Sequence, residues 1–339
     1  MAKDNLMKAA QSMGDGDLKI NEIPIPTPQK GQVRIKCKST SLCHTDLMIC
    51  SKEVKGQPFP RTPGHEVIGV VDKVGEGVTR FKVNDLVGVG FFGGHCGQCS
   101  ACLENNFNLC KYVKFCGLSY PGGMAEYMVA EESALARVPQ GMDLIESAPL
   151  MCAGATCFDA LVSSRIKAGS LIAIQGVGGL GHLGIIMAKK MGYKVMAFSH
   201  GTSKKEFCLE KLGADYYIDT TAKGWIEDVQ KLGGAKAIFM TAPVASMVPD
   251  MIKALDGKGK LILLSAMREP VCFNAVELQM GGKSIEAFLV GDSRNSEECL
   301  KFSQTNHVHP IIEKITLAEA PEKLKNIGKA RFRYVIVFD

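Results

Sequence analysis

Residues 170–181 read Ser170-Leu171-Ile172-Ala173-Ile174-Gln175 and then Gly176-Val177-Gly178-Gly179-Leu180-Gly181. The first half is an apolar run of strand length, and the second is a glycine-rich turn. An apolar helical stretch, Leu180 to Met191, follows; Gly192 closes it, and Lys194-Val195-Met196-Ala197-Phe198 reads as the next strand. The rhythm continues with Ala237-Ile238-Phe239-Met240 and Lys260-Leu261-Ile262-Leu263-Leu264. Alternation of this kind predicts a parallel, doubly wound sheet. In that setting the glycines let the backbone turn tightly and come close to a pyrophosphate, while the helix N-terminus supplies N–H groups and positive potential. Gly176, Gly178, Gly179, Leu180 and Gly181 are therefore candidate dinucleotide contacts.

The end of the second strand reads the ribose. An acid about 20 residues beyond the glycines would bond the diol of NAD. Here the strand ends Ala197-Phe198-Ser199-His200-Gly201, and Ser199 stands where the acid is expected. Ser199, His200, Lys204 and Lys205 can instead hold a 2′-phosphate, and losing the carboxylate removes a repulsion against it. The reading favours NADP(H). NAD(H) is the alternative, with Lys204 and Lys205 as a solvated helix start.

Upstream the pattern changes. Leu18-Lys19-Ile20, the alternating Val33-Arg34-Ile35-Lys36-Cys37, Val67-Ile68-Gly69-Val70-Val71 and Leu86-Val87-Gly88-Val89 are short strands separated by turn signals. They predict a small β-rich domain. Tyr334-Val335-Ile336-Val337-Phe338 is a last strand that can return to it. A chain of 339 residues is long enough for two domains. The expected division is 1–148 plus 287–339 for the β-rich domain and 149–286 for the parallel sheet.

Hydrophobic residues make up 46% and charged residues 22%, an ordinary globular balance. The net charge of +5 comes without a basic run, so nucleic acid is not a predicted partner. No stretch is long and apolar enough for a membrane span, and Met1-Ala2-Lys3-Asp4-Asn5 does not resemble a leader. Thirteen clustered cysteines, an odd number, favour thiolates and metal in a reducing, cytoplasmic setting over a disulfide framework.

The strongest cluster is Cys96-Gly97-Gln98-Cys99-Ser100-Ala101-Cys102, closed by Cys110. Four thiolates from one short loop suit a closed, structural zinc site. Similar spacings also hold iron–sulfur clusters, but nothing else in the chain requires electron storage. Three further residues are candidate ligands of a second metal: Cys43 in Cys43-His44-Thr45-Asp46, His65 in Gly64-His65-Glu66, and Cys152 in Met151-Cys152-Ala153-Gly154. Taken singly each reads equally well as a core thiol or a turn histidine, and spacing alone does not bring them together.

These segments, in this order and followed by the glycine-rich motif, resemble the zinc alcohol dehydrogenases of the medium-chain dehydrogenase/reductase superfamily over essentially the whole chain. The resemblance implies a GroES-like β-rich catalytic domain and a Rossmann cofactor domain, two zinc ions per subunit, and a homodimer or homotetramer. It implies catalytic zinc ligands at Cys43, His65 and Cys152, with Glu66 an acid able to approach the metal. Asp46 would orient the ligand histidine, and Thr45 would take the alcohol's proton. His44 and Arg333 would lie near the cofactor pyrophosphate. Phe91, and more weakly Thr45 and Met267, would wall the substrate pocket. Met48 departs from the family pattern, which often has a proton-relaying histidine there; methionine cannot carry a proton.

The implied activity is hydride transfer between a primary or secondary alcohol, or its aldehyde or ketone, and a nicotinamide cofactor. A polyol or cinnamyl-alcohol dehydrogenase of the same superfamily is an alternative. A non-catalytic redox sensor binding zinc and nucleotide is another, against which the full set Cys43, Thr45, His65 and Cys152 argues. The remaining cysteines, Cys37, Cys50, Cys116, Cys157, Cys208, Cys272 and Cys299, are expected to be small core residues.

Overall fold

In a strand, successive side chains face opposite sides, so the alternating run after Gln32 should bury one face. In the computed structural model it does: Val33, Ile35 and Cys37 are fully buried and the residues between them are not. The structure describes residues 5–51, 53–54 and 57–339. Residues 1–4, read above as part of a leaderless N-terminus, lie outside the described residues.

The chain divides into two compact units, Met1–Ala155 with Val290–Asp339, and Thr156–Leu289. The division falls inside the helix Ala153–Ser163, so Cys152 belongs to the first unit. Along the chain the strands are β1 (Leu6–Gln11), β2 (Lys19–Pro24), β3 (Gln32–Ser41), β4 (Val67–Val74), β5 (Leu86–Val89), β6 (Phe92–Gly94), β7 (Lys114–Phe115), β8 (Tyr127–Glu131) and β9 (Leu135–Arg137). The second unit holds β10 (Leu171–Gln175), β11 (Lys194–Ser199), β12 (Tyr216–Asp219), β13 (Ala235–Met240), β14 (Leu255–Leu263) and β15 (Ser284–Ala287). β16 (Ile312–Ile315) and β17 (Arg333–Val337) return to the first.

The first unit is built on a sheet of order β16-β17-β3-β4-β5-β9, with β8 also paired to β3. Every pairing in it is antiparallel except β16 with β17. Val33, Ile35, Val67, Val87 and Met128 are among the residues of its core. A close approach inside this unit delivers one candidate ligand. A Cβ on Gly90 would collide with the Met151 carbonyl. Glycine there lets the turn Ala148–Met151 seat against the end of β5, and Cys152 follows directly.

The second unit is a six-stranded, wholly parallel sheet of order β12-β11-β10-β13-β14-β15. Ranked by appearance this is 3-2-1-4-5-6, the doubly wound pattern, with the topological switch between β10 and β13. The glycine-rich turn leaves the carboxyl end of β10 at that switch. Ala173, Met196, Phe198, Ile238 and Leu261 are fully buried in the core. Trp225 packs its ring edge-on to Phe198, centroids 5.6 Å apart. Among the described residues, no helix is long and apolar enough to cross a membrane.

Six of the seven cysteines expected in the core are buried, and Cys272 is exposed. It lies on the irregular segment between β14 and the helix Ala275–Gly281, where the chain runs over the surface.

Candidate metal centres and the glycine-rich loop

Cys43 is the extended residue that caps the helix His44–Cys50. Asp46, three residues on, reaches back with Oδ2 to accept from the Cys43 backbone N–H at 2.9 Å. Its Oδ1 accepts from the Gly64 N–H at 3.0 Å and lies 3.0 Å from His65 Nδ1. Asp46 and His65 are both fully buried. A carboxylate accepts, so His65 carries its proton on Nδ1 and turns Nε2 away as a bare acceptor. That Nε2 is buried and has no hydrogen-bond partner among the described residues.

Four ligand atoms gather at this point. One each from Cys43, His65, Glu66 and Cys152 lie within 4.8 Å of one another. An unpaired buried imidazole nitrogen facing two sulfurs is costly unless something binds it. A set of two sulfurs, one nitrogen and an optional carboxylate fits zinc. Cys43 has its thiol held well below the ordinary range, first by a hydrogen bond from Cys152, with the positive charge of Arg333 adding to it against the cost of burial. Burial pushes the Glu66 carboxyl up to about 8, against the pull of Arg333.

Around this cluster the structure places the remaining candidates of the first unit. Thr45 Oγ1 is 3.7 Å from Cys43 Sγ. His44 is exposed at the start of the same helix. Phe91 sets its ring edge-on to His65 at 5.1 Å and stacks on Phe115 at 4.6 Å, so it is a neighbour of the histidine rather than remote packing. Arg333, expected near a pyrophosphate, is buried on β17. It pairs with Glu66 through Nη2 and donates to the Leu42 carbonyl at 3.1 Å.

The four-cysteine loop forms a second cluster. Its sulfurs are 3.6 Å (Cys96 to Cys110), 3.5 Å (Cys99 to Cys102), 3.8 Å (Cys99 to Cys110) and 4.0 Å (Cys96 to Cys102) apart. A tetrahedron with metal–sulfur bonds of ~2.3 Å has edges of about 3.8 Å. The N–H groups of Cys96 and Tyr112 donate to Cys110 Sγ at 3.4 and 3.3 Å. Backbone N–H groups of Cys102 and Lys111 hold the Cys99 thiol down to about 6.

His95 had no role in the sequence reading. Its Nδ1 lies 3.8 Å from Cys102 Sγ, and its ring stacks on Phe107 at 4.1 Å. Arg294 covers Phe107 at 4.4 Å and donates to the Asn105 carbonyl. Adjacency of His95 to Cys96 is the one sequence signal that could have pointed to it.

In the second unit, a Cβ on Gly181 would strike the Gly176 carbonyl, whereas Gly178 has open space where a Cβ would project. The first glycine thus permits the helix to pack close to the turn, and the second leaves the backbone open to a ligand. Ser199 is buried at the end of β11, and Thr220 N–H and Oγ1 both donate to its carbonyl. Its register partner is Asp219, which accepts from the Gly201 N–H at 2.8 Å. His200 and Lys205 are exposed, and Lys204 donates to the Val177 carbonyl. Met267 is half-buried and packs against the sheet core.

Residues 29–140 match the family model described as alcohol dehydrogenase GroES-like domain, and residues 179–305 the one described as zinc-binding dehydrogenase. The chain is 37% identical over 326 residues to an alcohol dehydrogenase, patD, of Penicillium expansum, covering 94% of each. It is similar to the solved cinnamyl alcohol dehydrogenase of Sorghum bicolor, with a TM-score of 0.90, 27% identity and coverage of 98% and 97%. A solved structure from Helicobacter pylori, titled CAD complexed with NADP(H), gives a TM-score of 0.87 at 27% identity, covering 98% of each chain.

Proposed function

The chain belongs to the zinc-binding alcohol dehydrogenases of the medium-chain dehydrogenase/reductase superfamily, and on that premise we propose that it transfers a hydride between a primary or secondary alcohol, or its aldehyde or ketone, and a nicotinamide dinucleotide, preferring NADP(H). The observation that carries the proposal is the convergence of two sulfurs and the unpartnered His65 Nε2 within 4.8 Å.

Cys43, His65 and Cys152 would hold the catalytic zinc, and Glu66 could approach it. Bound zinc supplies a Lewis acid that lowers the pKa of an alcohol and polarises a carbonyl. Asp46 fixes the His65 tautomer that offers Nε2. Thr45, whose Oγ1 lies beside Cys43 Sγ, would take the substrate hydroxyl proton. From there Met48 offers no onward route, so His44, exposed at the start of the same helix, is the group that exchanges the proton with water. Phe91 contributes an apolar wall next to His65. Cys96, Cys99, Cys102 and Cys110 would hold a structural zinc, closed by four sulfurs.

Support for NADP(H) is the absence of a carboxylate at Ser199 and the cationic turn after it. Asp219, the register partner of Ser199, favours the second reading, NAD(H), because it sets a carboxylate at the same end of the sheet. Likeness to cinnamyl alcohol dehydrogenases supports an aromatic or apolar substrate.

A turnover screen tests all of this: aliphatic, cinnamyl-type and polyol alcohols, with their aldehydes, against NAD(H) and NADP(H) side by side. Reduction of apolar aldehydes with NADPH at higher kcat/KM than with NADH is expected. Absence of turnover with every pair would leave a non-catalytic sensor, and a Cys43→Ala protein with full activity would remove the proposed metal site.

A further inference from the structure

Four carbonyl groups of the glycine-rich turn are each met by a side chain from a different segment of the second unit. The Thr241 hydroxyl lies 2.8 Å from the Gly176 carbonyl. Lys204 Nζ donates to the Val177 carbonyl at 2.7 Å. His182 Nδ1 meets the Gly178 carbonyl at 3.1 Å and, since a carbonyl only accepts, is the donor. The Cys157 thiol donates to the Leu180 carbonyl at 3.4 Å. In a planar trans peptide the C=O and the following N–H point in opposite directions. Holding the carbonyls on the protein side therefore turns the next N–H groups outward. Within this turn Gly178 leaves open space beside its backbone.

Three of these four donors have neutral forms suited to the task. Lys204 is different: it is a full charge, half-buried in the turn after β11, and its ammonium folds back onto a carbonyl 27 residues upstream. The sequence reading gave Lys204 to the 2′-phosphate. We propose instead that Lys204 is a positioning residue that clamps the glycine-rich loop through the Val177 carbonyl and so serves the pyrophosphate common to NAD(H) and NADP(H). The choice between the two cofactors then falls to Ser199, His200 and Lys205. This inference rests on the reading of the second unit as the dinucleotide-binding one.

The test compares the zinc-loaded, full-length protein with its Lys204→Met and Lys204→Arg variants. Binding of NADPH and NADH is measured by isothermal titration calorimetry, and amide hydrogen exchange of the loop is followed without nucleotide. Lys204→Met is expected to weaken both dinucleotides by the same factor, about 10- to 100-fold, the loss of one charge-assisted hydrogen bond. Exchange across residues 176–181 should rise, and arginine, which can also donate to a carbonyl, should restore most of both. Loss of NADPH affinity alone, with NADH binding and loop exchange unchanged, overturns the proposal, as does no change at all. Should the methionine variant fail to fold, Lys204→Gln is read by the same criteria. If the unsubstituted protein binds neither dinucleotide, the assignment of the unit itself fails, a result distinct from either of those.

Discussion

Asp46 serves three groups with two oxygens: the Cys43 and Gly64 N–H groups and His65 Nδ1. It therefore fixes one candidate ligand through the backbone and another through the ring. Asp46→Asn keeps the shape but replaces one acceptor oxygen by an amide that donates, which opposes either an N–H or the required tautomer. We expect zinc at this centre to bind about 10- to 100-fold more weakly in the variant, read by competition with a chromogenic chelator. Unchanged affinity would mean that the tautomer is set elsewhere. Residues such as these were legible only as a pattern shared with a family. Cys43, His65 and Cys152 lie far apart in the chain, and no periodicity announces that a capping turn, a loop and the turn before a helix will meet. Arg333, which the resemblance sets near the pyrophosphate, is paired with the buried Glu66, and a guanidinium in that interior needs such a partner.

At the scale of elements, the four-cysteine loop has little regular structure of its own: a helix of four residues, Ser100–Leu103, and a short 3₁₀ turn, Phe107–Leu109. Its Leu103 and Leu109 are exposed, so apolar burial contributes little there. What holds it are the sulfurs, the His95–Phe107–Arg294 stack and a few backbone bonds. Cys102→Ser should therefore lower the metal content by one ion per chain, measured by mass spectrometry of the inorganic content. The melting temperature should fall by several degrees, because a structural zinc contributes folding free energy directly. A variant that kept both its metal and its melting point would show the loop to be self-supporting. This loop was readable from spacing alone, as were the central strands β3, β10, β11 and β17, whose patterns are dictated by burial. β1, β12, β15 and β16 were not. They are short and sit at sheet edges or in a two-stranded ribbon, so few residues are left to carry a period.

For the molecule as a whole, ligand linkage gives the broadest prediction. Anything that binds only the folded chain raises its melting temperature. NADPH at about 100 times its dissociation constant should add roughly 2.7 kcal/mol to the unit that binds it, or about 5–10 °C by scanning calorimetry. A rise with NADH but none with NADPH would reverse the proposed preference. Multi-angle light scattering on the same preparation should return two or four times the chain mass of 36.5 kDa, since Val276, Met280 and Leu289 leave apolar surface exposed near the end of the parallel sheet.

Trp225 is the chain's single tryptophan, and it lies buried against Phe198, next to the strand end at Ser199. All indole emission therefore originates in the Thr156–Leu289 unit. A reduced nicotinamide absorbs where indole emits, so resonance transfer would let occupancy of that unit be followed in real time. Events at the sulfur–imidazole cluster, which lies in the other unit, contribute no indole light of their own.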